Sequence, residues 1–252
     1  SGVHLQTGFV GTPYFAEALS KNGMNELAYG LLLNEDYPSW LFAVKMGATT
    51  IWERWNSILP DGKISGTDMN SLNHYAYGSI VEWLYRCVLG IQADSSQPGY
   101  KHFFLAPQPS AQLGKAEGYY QSVSGRIESA WEILADGQLD FAFRVPFGTI
   151  ATITLPDLTL EEAQKTEWLQ SAVALEDSAK VTVKAGEYRV TYMPTRNYCP
   201  EVTTEMSYRE LLEYTPARKV IFEQFPMLRN NDLALQYLDK PMENFKDLPI
   251  VS

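Results

Sequence analysis

Glu53 is the residue of this chain whose type and surroundings most clearly suit chemistry. It stands in Gly47-Ala-Thr-Thr-Ile-Trp-Glu-Arg-Trp-Asn-Ser57, with Trp52 and Trp55 on either side and Arg54 next to it. Carboxylates among aromatic rings suit the handling of sugars. The rings offer apolar faces to the apolar faces of a pyranose, and the acid moves protons. The run Thr49-Thr50-Ile51-Trp52 is β-branched and aromatic, which disfavours helix. If it is extended, Glu53 and Trp55 share one face while Trp52 and Arg54 share the other. A structural reading uses the same residues, with Glu53 paired to Arg54 or to a lysine.

His74, in Asn70-Ser-Leu-Asn-His-Tyr-Ala-Tyr-Gly78, is expected at the start of a helix. Backbone amides point outward there and favour bound oxygens, so a histidine at that place can meet a sugar hydroxyl. It can equally be a satisfied structural group. Asp61 and Asp68 read as solvated turn residues, and Asn70 or Ser71 as the helix cap. Arg126, Glu128, Glu132 and Arg144 read as outward-facing cross-strand charges. There is no Gly-x-Ser-x-Gly elbow, no phosphate loop and no dinucleotide fingerprint.

His4, His74 and His102 lie far apart, and Cys87 and Cys199 have no metal or disulfide spacing, so no metal and no cofactor is expected. Cys87 reads as a small buried apolar residue. The net charge of -10 over 252 residues argues against a nucleic-acid partner, whose phosphates it would repel. Hydrophobic residues at 45% allow a sizeable core, and the length favours two domains over one. No apolar run reaches the roughly 18–20 residues that span a bilayer.

These residues need elements to position them. Residues 1–91 read as helices joined by short loops. Thr12 caps a first helix with Pro13 in its opening turn, and Asn22-Gly23 stops it. A second runs from about Asn25 to Leu33, and a short third follows Ser39, carries Trp40 and stops at Gly47. A fourth, from about Ser71 to Leu89, repeats Tyr77, Ile80, Val81, Leu84 and Val88 at helical spacing and ends at Gly90. Residues 92–112, with Pro98, Pro107 and Pro109, read as a connector. Over 113–194 the period becomes two: Leu139, Phe141, Phe143 and Val145 alternate with Asp140, Ala142 and Arg144. Asp136-Gly137 joins that run to the one before it as a hairpin. Ile150 to Leu155, Lys180 to Lys184 and Glu187 to Tyr192 read as further strands of an antiparallel β-sandwich. Residues 195–252 read as a tail of three short helices, opened by Ser207, by Pro216 and near Leu233.

Four motifs in fixed order resemble bacterial α-L-rhamnosidases of glycoside hydrolase family 78. They are Thr7-Gly-Phe-Val-Gly-Thr-Pro-Tyr14, Tyr37-Pro-Ser-Trp40, Gly47-Ala-Thr-Thr-Ile-Trp-Glu-Arg-Trp55 and Met69-Asn-Ser-Leu-Asn-His-Tyr-Ala-Tyr-Gly78. The strands that include Val145-Pro-Phe-Gly148 are similar to that family's C-terminal sandwich. Glu210-Leu-Leu-Glu213 and Tyr214-Thr-Pro-Ala217 are similar to an appendage that some members carry.

The resemblance implies an α+β multidomain chain: part of an (α/α)6 barrel over 1–91, the sandwich, and the tail. It implies an inverting hydrolysis of terminal α-L-rhamnosyl residues with Glu53 as general base. His74 would contact the sugar, and Trp40, Trp52 and Trp55 would wall the pocket. Inversion also needs a general acid roughly 6.5–9.5 Å from the base. The family's acid lies upstream of these motifs, and no position here matches it. Twelve helices with their loops need about 200 residues. The chain is therefore expected to be the C-terminal portion of such an enzyme, inactive alone, with the missing N-terminal part and a rhamnosylated substrate as partners. Exposed barrel-facing apolar surface would also favour association between copies. Export would suit a polysaccharide-degrading enzyme, but periplasmic, extracellular and cytoplasmic sites all stay open. A non-catalytic carbohydrate-binding or structural module, or a piece of another (α/α)6 glycosidase, would account for the same composition.

Overall fold

Helices come first and a sheet follows, and the last turn of the helices is closed by the sheet. The computed structural model describes residues 7–66, 68–199, 206–213 and 215–224. Helix α1 (Thr12–Lys21) carries Pro13 in its first turn, where a missing N–H is harmless. Thr12 is not the cap expected from the sequence. Gly11 holds that position, and the buried Thr12 hydroxyl donates back to the Gly8 carbonyl at 2.8 Å. Helix α2 (Asn25–Leu33) buries Ala28, Tyr29 and Leu31. Helix α3 (Trp40–Lys45) starts at Ser39, whose hydroxyl accepts the Phe42 amide at 3.0 Å.

The fourth helix begins later than its periodicity suggests. A 3-10 turn at Ala76–Ser79 leads into α4 (Ile80–Trp83), which continues as a π-helical segment at Leu84–Val88. Residues 71–75 stay out of it because the preceding loop recruits their amides. His74 donates its backbone N–H to the Ile51 carbonyl at 2.7 Å. Neither candidate residue caps the helix: Asn70 Nδ2 bonds the carbonyls of Ser57 and Gly66, and Ser71 closes a turn onto Asn73.

The sheet comprises β1 (Ile91–Ala93), β2 (His102–Leu105), β3 (Lys115–Ser122), β4 (Gly125–Ile133), β5 (Leu139–Pro156), β6 (Val173–Leu175) and β7 (Ser178–Tyr192). Two long strands organise it. β5 and β7 run antiparallel along their whole length, with a register break between Val145 and Ile150. Before the break β5 pairs with β4, and after it with β2. The ribbon thus changes neighbours at the break, and the two runs expected on each side of it are single long strands of one seven-stranded sheet. β2 pairs with β5 in parallel, so the sheet is mixed. β2 and all of β1 but Ile91 lie inside 92–112, so that stretch is part of the sheet as well as a link. A helical turn, α5 (Leu160–Ala163), interrupts the strands, capped by Thr159.

The alternation of Leu139, Phe141, Phe143 and Val145 is realised as burial, and these side chains join one hydrophobic cluster with Tyr29, Trp83, Cys87, Phe103 and Leu105. Burial also pushes the Cys87 thiol up to about 11, as befits an apolar packing residue. Five carbonyls at the end of the fourth helix find partners outside the helix. Arg86 accepts Gln92 Nε2 at 2.8 Å, Cys87 the Gln108 amide at 3.0 Å and Val88 the Trp131 indole at 2.7 Å. Leu89 accepts the Ser129 hydroxyl at 2.6 Å and Gly90 the Ala106 amide at 2.9 Å. These are the groups a helix end leaves unpaired.

In the tail, α6 (Tyr208–Glu213) opens with a capping box: Glu210 N donates to Ser207 Oγ at 3.2 Å, and Ser207 N to Glu210 Oε2 at 2.7 Å. α7 (Thr215–Gln224) follows. The helix expected near Leu233 lies outside the described residues.

Candidate active site

Residues 48–55 form bends and turns rather than an extended strand. Side chains therefore do not alternate. Trp52, Arg54 and Trp55 all line one cleft, together with Trp40, Val44 and Tyr77. Its volume is about 280 Å³. Trp55 stacks on Tyr77 with ring centroids 3.8 Å apart and meets Trp40 edge-on at 5.2 Å. The Trp40 indole donates to the Tyr77 carbonyl at 2.9 Å. Trp40 and Trp52 are buried, and Trp55 keeps a partly open face.

Glu53 is not a wall of that cleft. Its Oε2 accepts the Ser71 amide at 2.6 Å, while its own amide donates to the Ser71 carbonyl at 2.8 Å. Oε1 has no hydrogen bond among the described residues. The ion pair with Arg54 does not form, since Arg54 Nη2 donates to the Asp68 carbonyl at 2.6 Å. Glu53 makes no salt bridge among the described residues.

His74 sits on the same paired backbone. With the Glu53–Ser71 and His74–Ile51 bonds, segment 51–53 and segment 71–74 are laced together, and Thr50 Oγ1 adds a bond to the Leu72 carbonyl. Two residues placed 21 positions apart in sequence thereby share one support. The His74 ring stacks on Phe9, with centroids 5.1 Å apart, and on Tyr75, at 5.0 Å. Its Nδ1 accepts the Ala76 amide at 3.3 Å.

The remaining sequence candidates are peripheral. Asp61 is an exposed turn residue whose hydrogen bond from Lys63 holds its carboxyl below the usual range. Glu128 pairs with Arg126 at 2.6 Å and with Arg144 at 3.4 Å on the open face of the sheet. Among the described residues no three His, Cys, Asp or Glu are placed to hold a metal. No described helix is long and apolar enough to cross a membrane.

Two family models divide the chain. Residues 1–88 match the bacterial α-L-rhamnosidase six-hairpin glycosidase domain, and residues 90–169 match the bacterial α-L-rhamnosidase C-terminal domain. The chain belongs to the bacterial α-L-rhamnosidase family. An α-L-rhamnosidase of Alteromonas sp. (strain LOR) is 44% identical over 61% of this chain, which spans only 16% of that relative. The crystal structure of Streptomyces avermitilis α-L-rhamnosidase complexed with L-rhamnose superposes with a TM-score of 0.66 at 34% identity, covering 75% of this chain and 18% of that one. The Aspergillus terreus α-L-rhamnosidase structure gives 0.65 at 30% identity, over 75% and 20%. The helices of this chain thus belong to a six-hairpin glycosidase domain and its strands to a C-terminal sheet domain.

Within the candidate site, sequence reasoning singled out Glu53, His74 and the tryptophans but not Phe9, Ser71 or Tyr77 as their supports. Phe9 lay within a quoted motif, and its placement between two glycines, Gly8 and Gly11, marks a tight turn that presents a ring.

Proposed function

We propose that this chain is the C-terminal part of an inverting α-L-rhamnosidase, carrying the general base and lacking the general acid. Glu53 takes a proton from a water that attacks the anomeric carbon of a terminal α-L-rhamnosyl residue. One observation carries this reading: Glu53 is anchored through Oε2 to the Ser71 amide, and Oε1 has no partner among the described residues. A general base needs that combination of fixed position and free lone pair. His74, held by the same backbone pairing, binds a hydroxyl of the same sugar, and Trp40, Trp52, Trp55 and Tyr77 form the apolar wall. The resemblance to a structure solved with L-rhamnose supports the choice of sugar.

On this reading residues 1–91 are the closing helices of the barrel and 92–112 connect them to the sandwich, contributing β1 and β2 to it. The sandwich continues to 194, and 195–252 form a helical appendage. The upstream part of the same enzyme completes the site and supplies the acid. Val10, Tyr14, Val44 and Tyr75, all exposed large side chains on the helical part, are surface suited to that contact.

In the full-length protein, Glu53→Gln is expected to lower kcat for a chromogenic α-L-rhamnoside by at least about 10³-fold with the fold intact. Undiminished turnover would overturn the assignment. The 252-residue chain alone is expected to be inactive. Robust hydrolysis by it would place the acid among these residues.

A further inference from the structure

The turn before α1 has no part in the chemistry above, yet it is built with care. Thr12 is buried and ties the turn together. Its hydroxyl donates to the Gly8 carbonyl at 2.8 Å and lies 3.0 Å from the Thr7 hydroxyl, and its amide also reaches the Gly8 carbonyl, at 3.1 Å. The Thr7 carbonyl accepts the Trp55 indole N–H at 3.3 Å. The outcome of this closure is the placement of Phe9. Its ring lies 5.1 Å from His74, tilted by only 21°, and 5.4 Å from Tyr77.

His74 is constrained a second way. Nδ1 accepts the Ala76 amide, so the neutral ring carries its proton on Nε2. Nε2 has no partner among the described residues. Rotating the imidazole by half a turn about its Cβ–Cγ bond would remove Nδ1 from the Ala76 amide. Rotating it by less would break the parallel packing against Phe9 and Tyr75.

We propose that Phe9 is a positioning residue for His74: it holds the imidazole plane so that the Ala76 amide keeps the proton on Nε2. His74 then meets a ligand as a hydrogen-bond donor only. It can bind a hydroxyl oxygen but cannot accept a hydroxyl proton, so that proton must find an acceptor elsewhere on the sugar's surroundings. The ligand being a sugar rests on the rhamnosidase reading; the tautomer and its dependence on Phe9 do not.

The test is nitrogen NMR of the 15N-labelled 252-residue chain at roughly pH 8, where unperturbed histidine is neutral. Only His4, His74 and His102 contribute, and His74→Gln assigns the signals. Wild type is expected to show His74 with Nδ1 unprotonated and Nε2 protonated. Phe9→Tyr should keep that pattern and Phe9→Leu should lose it to a mixture of tautomers. A protonated Nδ1 in wild type, or an unchanged pattern in Phe9→Leu, would overturn the proposal. Should Phe9→Leu not fold by circular dichroism, Phe9→Met takes its place with the same two outcomes. Adding L-rhamnose to the full-length protein, labelled in the same way and with its site complete, separates the two ideas. A shift at Nε2 supports both. No shift, with the tautomer and its Phe9 dependence intact, supports the positioning role and counts against the sugar reading.

Discussion

Trp131 on β4 donates its indole N–H to the carbonyl of Val88, the last residue of the π-helical segment, at 2.7 Å. Both groups are buried. Trp131→Phe keeps most of the apolar volume and removes the donor, leaving that carbonyl unpaired. The expected loss is about 1–3 kcal/mol of stability, read as a lower urea midpoint with an unchanged slope. An unchanged midpoint would mean that water replaces the indole.

Gly90 turns the chain from helix to sheet at φ +71°, and a Cβ there would stand 2.1 Å from Pro107 N and 2.2 Å from Ala106 C. Those atoms are backbone and cannot swing aside. Gly62 has a similar φ of +80° with open space around it. Gly62→Ala should therefore show the conformational penalty alone, about 1 kcal/mol. Gly90→Ala should cost several times more or prevent folding. Equal effects in thermal unfolding would show that the close approach is not rigid.

Glu17 bonds Lys21 at 2.9 Å and Arg86 at 3.0 Å, and those cations hold its carboxyl below the usual range. A depressed folded pKa gives stability that is present above the unfolded value, about 4.3, and is lost as pH falls through the folded one. Glu17→Gln is expected to be less stable than wild type near neutrality, by about 1 kcal/mol or less since the partners are partly exposed. The gap should close on acidification below about pH 4. A gap that widened in acid would reverse the assigned sign.

The Ser71 amide is the anchor of Glu53. Ser71→Pro removes it without touching the carboxylate. In the full-length protein kcat is expected to drop by about 10²-fold, the cost of a misplaced catalytic group, with KM changing much less. A KM effect alone would assign Ser71 to ground-state binding.

The sheet was the more readable part because its signal is local. Each residue from Leu139 to Val145 faces in or out by parity, and burial follows. The capping box at Ser207 and Glu210 is similarly a property of four successive residues. The site was less legible because distant segments decide it. Residues 71–75 have helical periodicity, but the Glu53 carboxylate and the Ile51 carbonyl claim the amides of Ser71 and His74, so the helix waits until Ala76. The position of the Glu53 carboxylate is likewise fixed by Ser71, 18 positions downstream. β1 and β2 are three and four residues long, too short for periodicity to register, and β2 is stabilised by parallel pairing to β5 almost 50 residues away.

The carbonyls of Arg86 to Gly90 end on Gln92, Gln108, Trp131, Ser129 and Ala106. For anyone recombining related enzymes, this makes the stretch around residue 89 a poor place to splice. A chimera joined there would inherit helix-end carbonyls from one parent and their donors from another, with register and side-chain identity both at risk. Exchangeable blocks should instead keep residues 84–133 together, so that the seam travels with both of its faces.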